Sequence, residues 1–452
     1  MPTLLKSLSG TGFFARVARG SAFTASGYAA SQLLRLLANL LLTRILYPEA
    51  FGLMALVSVF MVGLVMFSDV GIGPAISQNR RGDDPDFLDT AWSIQVIRGV
   101  LMFVAASALA FPVAWFYDAP MLAQLLPVAS LTLVIAGFYP TRIETANRHL
   151  MLGRVTLLDL ASQAVGTLSM LAIAWQTQSV WALVVGGLIG AVAKLWLMHR
   201  FLPGAANRPR WEPDAVAELL RFGKWIYLST ACGFLIQQGD KAILGAYLPL
   251  ATLGIYNIGF FLATFPLMMG QAVTGRILIP IYRENPPAQS DANFRRLRRM
   301  RVGITSVLLG LLSVLSFVGV PLVDLLYGPR YAAAGPMLVM IACVQMPVVI
   351  GMTYDASALA AGDSRNYFYV MASRTALTTL ALLVGAHFGG LTGALTAQGL
   401  ALCLGHLLTI WLARRHGAWD ALHDCAFGLC AALVVLAAFS VNAAALHAIV
   451  GM

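Results

Sequence analysis

Long apolar runs separated by short polar breaks dominate this chain. A helix that crosses a bilayer needs about 20 mostly apolar residues. Thirteen runs have that character: 22–46, 50–73, 91–114, 121–141, 155–175, 179–198, 225–246, 251–279, 302–325, 336–361, 367–387, 391–412 and 425–447. Asn442 and His447 interrupt the last of them. The pattern predicts an all-α polytopic membrane protein. Pro140, Pro266, Pro280 and Pro347 lie inside or at the edges of runs and are expected to kink their helices.

Composition strengthens this reading. Hydrophobic residues make up 59% of the chain and charged residues 11%, where a soluble domain carries about 25% charged. The net charge of +10 invites a nucleic-acid partner. The basic residues are scattered between apolar runs, however, and form no soluble basic domain, so that partner is rejected. With the N-terminus placed in the cytoplasm, the inward segments are 1–20, 78–90, 142–154, 199–224, 276–301, 362–367 and 413–424. They hold twenty-three of the thirty Lys and Arg residues; the opposite loops hold one, Arg330, and six fall within runs. That is the positive-inside distribution. The segment 1–20 shows no small-residue cleavage site behind a short apolar core, so the first run is expected to stay as a helix. The two longest inward segments, 199–224 and 276–301, are basic and are expected to lie on anionic membrane lipids.

The chain also repeats itself. Pro48-Glu49-Ala50-Phe51-Gly52 follows the first run, and Pro249-Leu250-Ala251-Thr252-Leu253-Gly254 follows the seventh. Trp181 to Gly190 opens the sixth run, and Gly390 to Gly399 opens the twelfth. Six spans is an even number, so both halves enter the membrane in the same sense. The expected organisation is a segment 1–20, an N-lobe over 21–200, a linker over 201–224, a C-lobe over 225–414 and a thirteenth helix within 415–452. Transporters built from such repeats place a binding site between the halves.

Three stretches resemble a known family. Tyr47-Pro48-Glu49-Ala50-Phe51-Gly52-Leu53 runs on to Asp69-Val70-Gly71-Ile72-Gly73-Pro74-Ala75. Asp240-Lys241-Ala242-Ile243-Leu244-Gly245 is followed by Leu253-Gly254-Ile255-Tyr256-Asn257 and Leu262-Ala263-Thr264-Phe265-Pro266. Asn147-Arg148-His149-Leu150-Met151 closes the fourth span. In this order they resemble the Wzx-like oligosaccharide flippases of the polysaccharide-transporter family, in the MOP superfamily. The superfamily also holds the MATE exporters and the lipid II flippase. The resemblance implies two pseudo-symmetric six-helix lobes in a V around a central cavity, with at least one further C-terminal helix. It implies rocker-switch movement of an undecaprenyl-pyrophosphate-linked glycan across a bacterial inner membrane, alongside polymerase and export machinery. Many members have fourteen helices; thirteen here place Met452 on the outside.

A pyrophosphate and several sugars must cross about 30 Å of hydrocarbon, so charges within spans are the informative residues. Each costs roughly 2.5–3.5 kcal/mol at mid-bilayer on insertion scales and is expected to face a cavity or a partner. Arg35, Arg98, Arg374 and Lys241 are the candidate cations for phosphate, with snorkelling or a structural ion pair as the alternative. Arg44 and Lys194 stand close to span ends and are expected to snorkel. Asp69, Asp159, Asp240 and Asp355 are candidates for coupling to a proton or Na⁺, or for neutralising a nearby base. Asp69 precedes Gly71 and Gly73 and could cap a span end. Tyr139, Tyr256, Tyr354, Tyr367 and Tyr369 could stack on sugars or anchor at the interface.

Catalytic signals are lacking. There is no P-loop, no His/Cys/Asp group with metal spacing and no implied cofactor. Cys232, Cys343, Cys403, Cys425 and Cys430 are expected to behave as small buried hydrophobes. The leading reading is therefore a flippase. A MATE-type small-molecule exporter is the alternative from the same fold. A membrane enzyme of lipid-linked glycan assembly is disfavoured, because the outer connections are too short for a catalytic loop.

Overall fold

The computed structural model describes residues 13–69, 71–149, 151–223 and 227–450. Its contacts divide the chain into two units: Met1–Leu46 with Leu56–Ala231, and Tyr47–Ala55 with Cys232–Met452. The expected segment 1–20 lies largely outside the described residues.

The first unit contains α1 (Phe13–Ile45), most of α2 (Pro48–Phe67), α3 (Ile72–Gln78), α4 (Pro85–Phe116), α5 (Leu122–Gly137), α6 (Arg142–Arg148), α7 (Leu152–Thr177), α8 (Trp181–Phe201) and α9 (Pro213–Gly223). The start of α4 is set by its sequence: Pro85 occupies the first helical position, and the Asp84 side chain accepts the Asp86 N–H at 3.0 Å. α7 and α8 pack at backbone contact. A Cβ on Gly166 would lie 3.0 Å from Gly190 Cα, so only glycine permits that approach.

The segment joining α8 to α9 is strapped to this same unit. Asn207 Nδ2 donates to Asp89 at 3.1 Å and to Thr141 at 2.7 Å. Arg210 pairs with Asp86 at 2.7 Å, and Arg81 reaches both Glu212 carboxylate oxygens at 2.9 Å. α9 then buries Ala215 and Leu219 against Ile72, Ala75, Ile76 and Phe87. The motif Asn147-Arg148-His149 has a structural task here. Arg148 Nη1 donates to the carbonyls of Ile76, Ser77 and Asn79 at 3.0, 3.2 and 2.6 Å, and His149 Nε2 lies 2.8 Å from Asp83.

The second unit contains the start of α2, then most of α10 (Tyr227–Tyr247), α11 (Leu250–Ala263), α12 (Phe265–Val273), a π turn over Thr274–Leu278, α13 (Ile279–Glu284), α14 (Asp291–Tyr327), α15 (Ala334–Gly351), α16 (Asp355–Ala360), α17 (Ser364–Arg415), α18 (Ala421–Val441) and α19 (Ala443–His447). The most apolar window of α15 and α16 is 83% buried, against 11% for α18. So α15 is the central post of the unit, and α18 is a peripheral helix whose outer face is apolar. The run of α17 is two helices joined at a kink, where Gly389 and Gly390 leave helical geometry and Gly390 has φ 55°. The repeat motifs meet inside this unit. A Cβ on Gly52 would lie 2.0 Å from the Leu250 carbonyl oxygen, and one on Gly254 would lie 2.0 Å from that of Pro48.

Each of the thirteen apolar runs falls on helix. Among the described residues eight helices are long and apolar enough to cross a membrane, or ten when two bent pairs count as single spans. The protein is therefore a multi-pass membrane protein. α1 and α10 are not among the eight. They carry Gln32, Arg35, Asn39 and Arg44, and Gln237, Gln238, Asp240 and Lys241, and they begin the two sequence repeats.

Two expectations need correction. Pro140 and Pro266 mark breaks of 61° and 43°, and Pro280 follows the π turn, but Pro347 sits inside α15 without interrupting it. Of the cysteines, Cys343 is buried, while Cys403, Cys425 and Cys430 are exposed on the protein surface. These three lie on apolar helices, so lipid takes the place of a protein core.

Candidate functional site

The first unit holds a cavity of about 310 Å³ where α5 breaks from α6. Gly137-Phe138-Tyr139-Pro140-Thr141 makes the break, and Pro140 has no N–H with which to continue the helix. The carbonyls freed there are satisfied from α4. Gln95 Nε2 donates to Ala136, Gly137 and Tyr139 oxygens at 3.0, 3.2 and 3.2 Å. Irregular backbone at membrane depth is tolerated where it lines a cavity or is buried in protein.

Arg98, one helical turn beyond Gln95, lines this cavity. Its Nε donates to Ser68 Oγ at 3.0 Å and its Nη2 to the Val65 carbonyl at 2.8 Å, so the end of α2 holds the guanidinium in place. Its Nη1 is 3.7 Å from Asp69, a looser contact than either hydrogen bond. Asp69 in turn accepts the Gly71 N–H at 2.9 Å, and Gly71 takes φ 70° in that turn. Asp69 thus both caps the span end and faces Arg98.

Lys194 of α8 also lines the cavity. Its ammonium lies 2.7 Å from Asp159 of α7 and 5.2 Å from the Tyr139 ring centroid. The pairing overturns the expectation that Lys194 snorkels. Four residues to its N-terminal side, at Gly190, α8 packs on α7 through glycine, and this close packing brings the two polar side chains together. Glu144 of α6 completes the charged wall. The site is polar and close to charge-balanced, not simply cationic.

The candidate charges of the second unit lie apart from this cavity. Arg374 Nη1 of α17 lies 3.4 Å from Asp355 Oδ2, while Asp355 Oδ1 is buried without a hydrogen-bond partner among the described residues. Asp240 is buried and accepts the Tyr256 hydroxyl at 2.8 Å. Lys241 lies within electrostatic reach of Asp240 and 5.2 Å from the Phe260 ring centroid. Arg35, in the first unit, is exposed on α1 with Nη1 3.5 Å from Gln32 Oε1, and it lies outside the 310 Å³ cavity. Among the tyrosines, Tyr139 faces the cavity, Tyr256 and Tyr354 are 1% exposed and closed to any sugar, and Tyr369 is exposed beside Arg365. No group of His, Cys, Asp and Glu among the described residues has metal-binding geometry.

Sequence reasoning missed one further group. His406 and His423 both face Asp424 in the second unit, at 3.3 and 3.0 Å. The adjacent pair His423-Asp424, three and four residues past Asp420 at the opening of an apolar run, was the available signal.

Comparison with known proteins fits this architecture. The chain is 23% identical over 354 residues to the teichuronic acid biosynthesis protein TuaB of Bacillus subtilis (strain 168), covering 76% of this chain and 71% of that one. It is 22% identical over 376 residues to the succinoglycan biosynthesis transport protein ExoT of Rhizobium meliloti (strain 1021), covering 82% and 74%. Its fold is similar to the lipid II flippase MurJ in an inward closed conformation, with a TM-score of 0.67 at 12% identity over 93% of this chain and 98% of that one. The model of the polysaccharide biosynthesis protein family matches residues 41–336. The chain belongs to that family.

Proposed function

We propose that this protein is a flippase that moves a polyprenyl-pyrophosphate-linked oligosaccharide from the cytoplasmic to the outer leaflet of a bacterial inner membrane, for assembly of a surface polysaccharide. The names of its relatives support a role in polysaccharide biosynthesis and transport. The lobes in this reading are 21–200 and 225–414, joined by 201–224, with the N-terminus in the cytoplasm. The basic inward segments support that orientation.

The observation that carries the reading is the cavity at the α5/α6 break with Arg98 on its wall. Two hydrogen bonds orient the guanidinium, while the 3.7 Å gap to Asp69 leaves an edge for an anion. A phosphate offers more charge than one carboxylate and matches the planar fork. Lys194 supplies a second cation. Arg374 plays the matching part in the other unit and Arg35 and Lys241 line the headgroup's route, while the polyprenyl tail stays in lipid. Asp69, Asp159, Asp240 and Asp355 hold the cations when no phosphate is bound, and Asp355 is the best placed to couple to an ion. An inside-negative potential favours outward movement of anions by about 2.3 kcal/mol per charge per 100 mV.

The test is binding of a fluorescent polyprenyl-pyrophosphate glycan to the purified protein. Loss of one charged hydrogen-bond partner costs about 1.5–3 kcal/mol, so Arg98→Ala weakens binding roughly 10- to 100-fold. Unchanged affinity refutes the site. Asp69 and Glu144 on the same wall favour a small-molecule exporter as the second reading. Binding of a cationic dye in place of the glycan selects it.

A further inference from the structure

The strap that follows α8 is bound along one face of α4. Asp86, Asp89, Thr90 and Ser93 stand at i, i+3, i+4 and i+7, so they form one polar stripe at the start of that helix. Alternate residues of the strap donate their N–H groups to it. Arg208 donates to Asp89 Oδ1 at 3.1 Å, Arg210 to Ser93 Oγ at 3.0 Å and Glu212 to Thr90 Oγ1 at 3.2 Å. Pro209, between the first two, has no N–H to offer. Farther along the same helix, Gln95, Arg98 and Met102 line the cavity. One helix therefore carries both the strap and a wall of the site.

The strap also reaches the cavity wall, through the side chain of Asn207. Its Oδ1 accepts the Thr141 N–H at 3.0 Å, and its Nδ2 donates to Thr141 Oγ1 at 2.7 Å and to Asp89 Oδ1 at 3.1 Å. A backbone N–H only donates and a carboxylate only accepts, so the amide fits in one orientation. Thr141 is 3% exposed and lines the cavity. The break between α5 and α6 leaves backbone groups of both kinds without helical partners, and buried ones must be paired. Two carboxamides pair them. Gln95 serves the carbonyls of Ala136, Gly137 and Tyr139, and Asn207 serves the Thr141 N–H. Arg142, the next residue, grips the beginning of the strap at the Leu202 and Gly204 carbonyls, at 2.9 and 3.1 Å.

We propose that Asn207 is a positioning residue for the cavity. It pins the break from the strap, so that the wall formed by Tyr139, Thr141 and Glu144 keeps its place beside Arg98 and Lys194. A docked strap and a filled cavity then favour each other, because coupling between two sites is reciprocal. The effect on headgroup binding rests on the flippase reading; the pinning of the break does not.

Hydrogen exchange over 137–145 is followed in the purified full chain in nanodiscs, without glycan. Asn207→Ala leaves the Thr141 N–H buried with no acceptor and speeds exchange there about 5- to 100-fold. Arg210→Ala removes the ion pair of the same strap with Asp86 and leaves exchange at the break unchanged. Asn207→Asp combined with Asp89→Asn restores an acceptor for the Thr141 N–H and a donor facing it, and returns the rate most of the way to the wild-type value. Should Asn207→Ala fail to fold, Asn207→Ser, too short to span Asp89 and Thr141 together, takes its place. Affinity for the fluorescent polyprenyl-pyrophosphate glycan follows the same order: reduced in Asn207→Ala, kept in Arg210→Ala and recovered in the exchanged pair. Exchange that Asn207→Ala leaves untouched, that Arg210→Ala speeds equally, or that the exchanged pair does not slow overturns the pinning. A faster break with undiminished glycan affinity overturns the positioning role. A wild type that binds no glycan overturns the flippase reading instead, and the exchange comparison still decides the pinning.

Discussion

Alanine at Gly52 is the most sharply defined perturbation of this structure. The new methyl carbon would lie 2.0 Å from the Leu250 carbonyl oxygen, where a carbon and a carbonyl oxygen in close contact stand about 3.3 Å apart. The two helix starts must then separate by roughly 1 Å, because the obstacle is backbone and has no rotamer with which to yield. Overpacking of this kind costs about 1–3 kcal/mol. Gly254→Ala makes the reciprocal clash with the Pro48 oxygen, also at 2.0 Å. A single separation relieves both clashes, so the double variant costs less than the two singles together, with a coupling of about 1 kcal/mol or more. Thermal unfolding of the detergent-solubilised protein measures all four corners of this cycle. Gly303→Ala is the control: no atom lies within 4 Å of its Cβ, and it sits inside α14, where alanine is favoured by about 1 kcal/mol. Single variants as stable as the wild type, or a strictly additive double, refute the reasoning. The contact matters because α2 is shared: Tyr47–Ala55 pack in the second unit, and the rest of the helix belongs to the first.

Three further outcomes follow from named contacts. Hydrogen bonds from Arg81 hold the carboxyls of Asp84 and Glu212 below the usual range, so this stabilisation is in place at neutral pH and is lost as pH falls through the lowered values. Hydrogen exchange over 203–223 is therefore faster in Arg81→Ala than in the wild type at pH 7, and the difference shrinks below about pH 4. Tyr256→Phe removes the hydroxyl that Asp240 accepts in a buried setting and lowers stability by about 1–3 kcal/mol in thermal unfolding, unless Asp240→Asn is introduced with it. Lys194→Ala strands Asp159, so its loss of stability is larger than that of the double variant Lys194→Ala with Asp159→Ala.

Much of the fold could be read from the sequence, because the bilayer demands long apolar runs and a charge bias between their ends. Both signals are local and need no tertiary knowledge. The breaks were less legible. Pro140 and Pro347 look alike in sequence, yet the first ends a helix and the second does not; Pro140 has Gln95 from another helix to receive the freed carbonyls. The embedded charges were found as residues but not as partners. Arg98 meets Asp69 across a turn between helices, and Lys194 meets Asp159 through two helices packed on glycine. No periodicity within one span encodes either pair. His406 and Asp424 lie on different helices, so their meeting depends on where α18 docks.

The central claim is that cations at the cavity of the first unit carry an anionic headgroup across the bilayer. It is tested directly by reconstituting the protein into liposomes with a fluorescent polyprenyl-pyrophosphate glycan and adding a membrane-impermeant quencher over time. The account predicts that label in the inner leaflet becomes quenchable at a protein-dependent rate, and that Arg98→Ala combined with Lys194→Ala slows this rate at least about tenfold. A rate no faster than in protein-free liposomes, or one unchanged in the double variant, contradicts it.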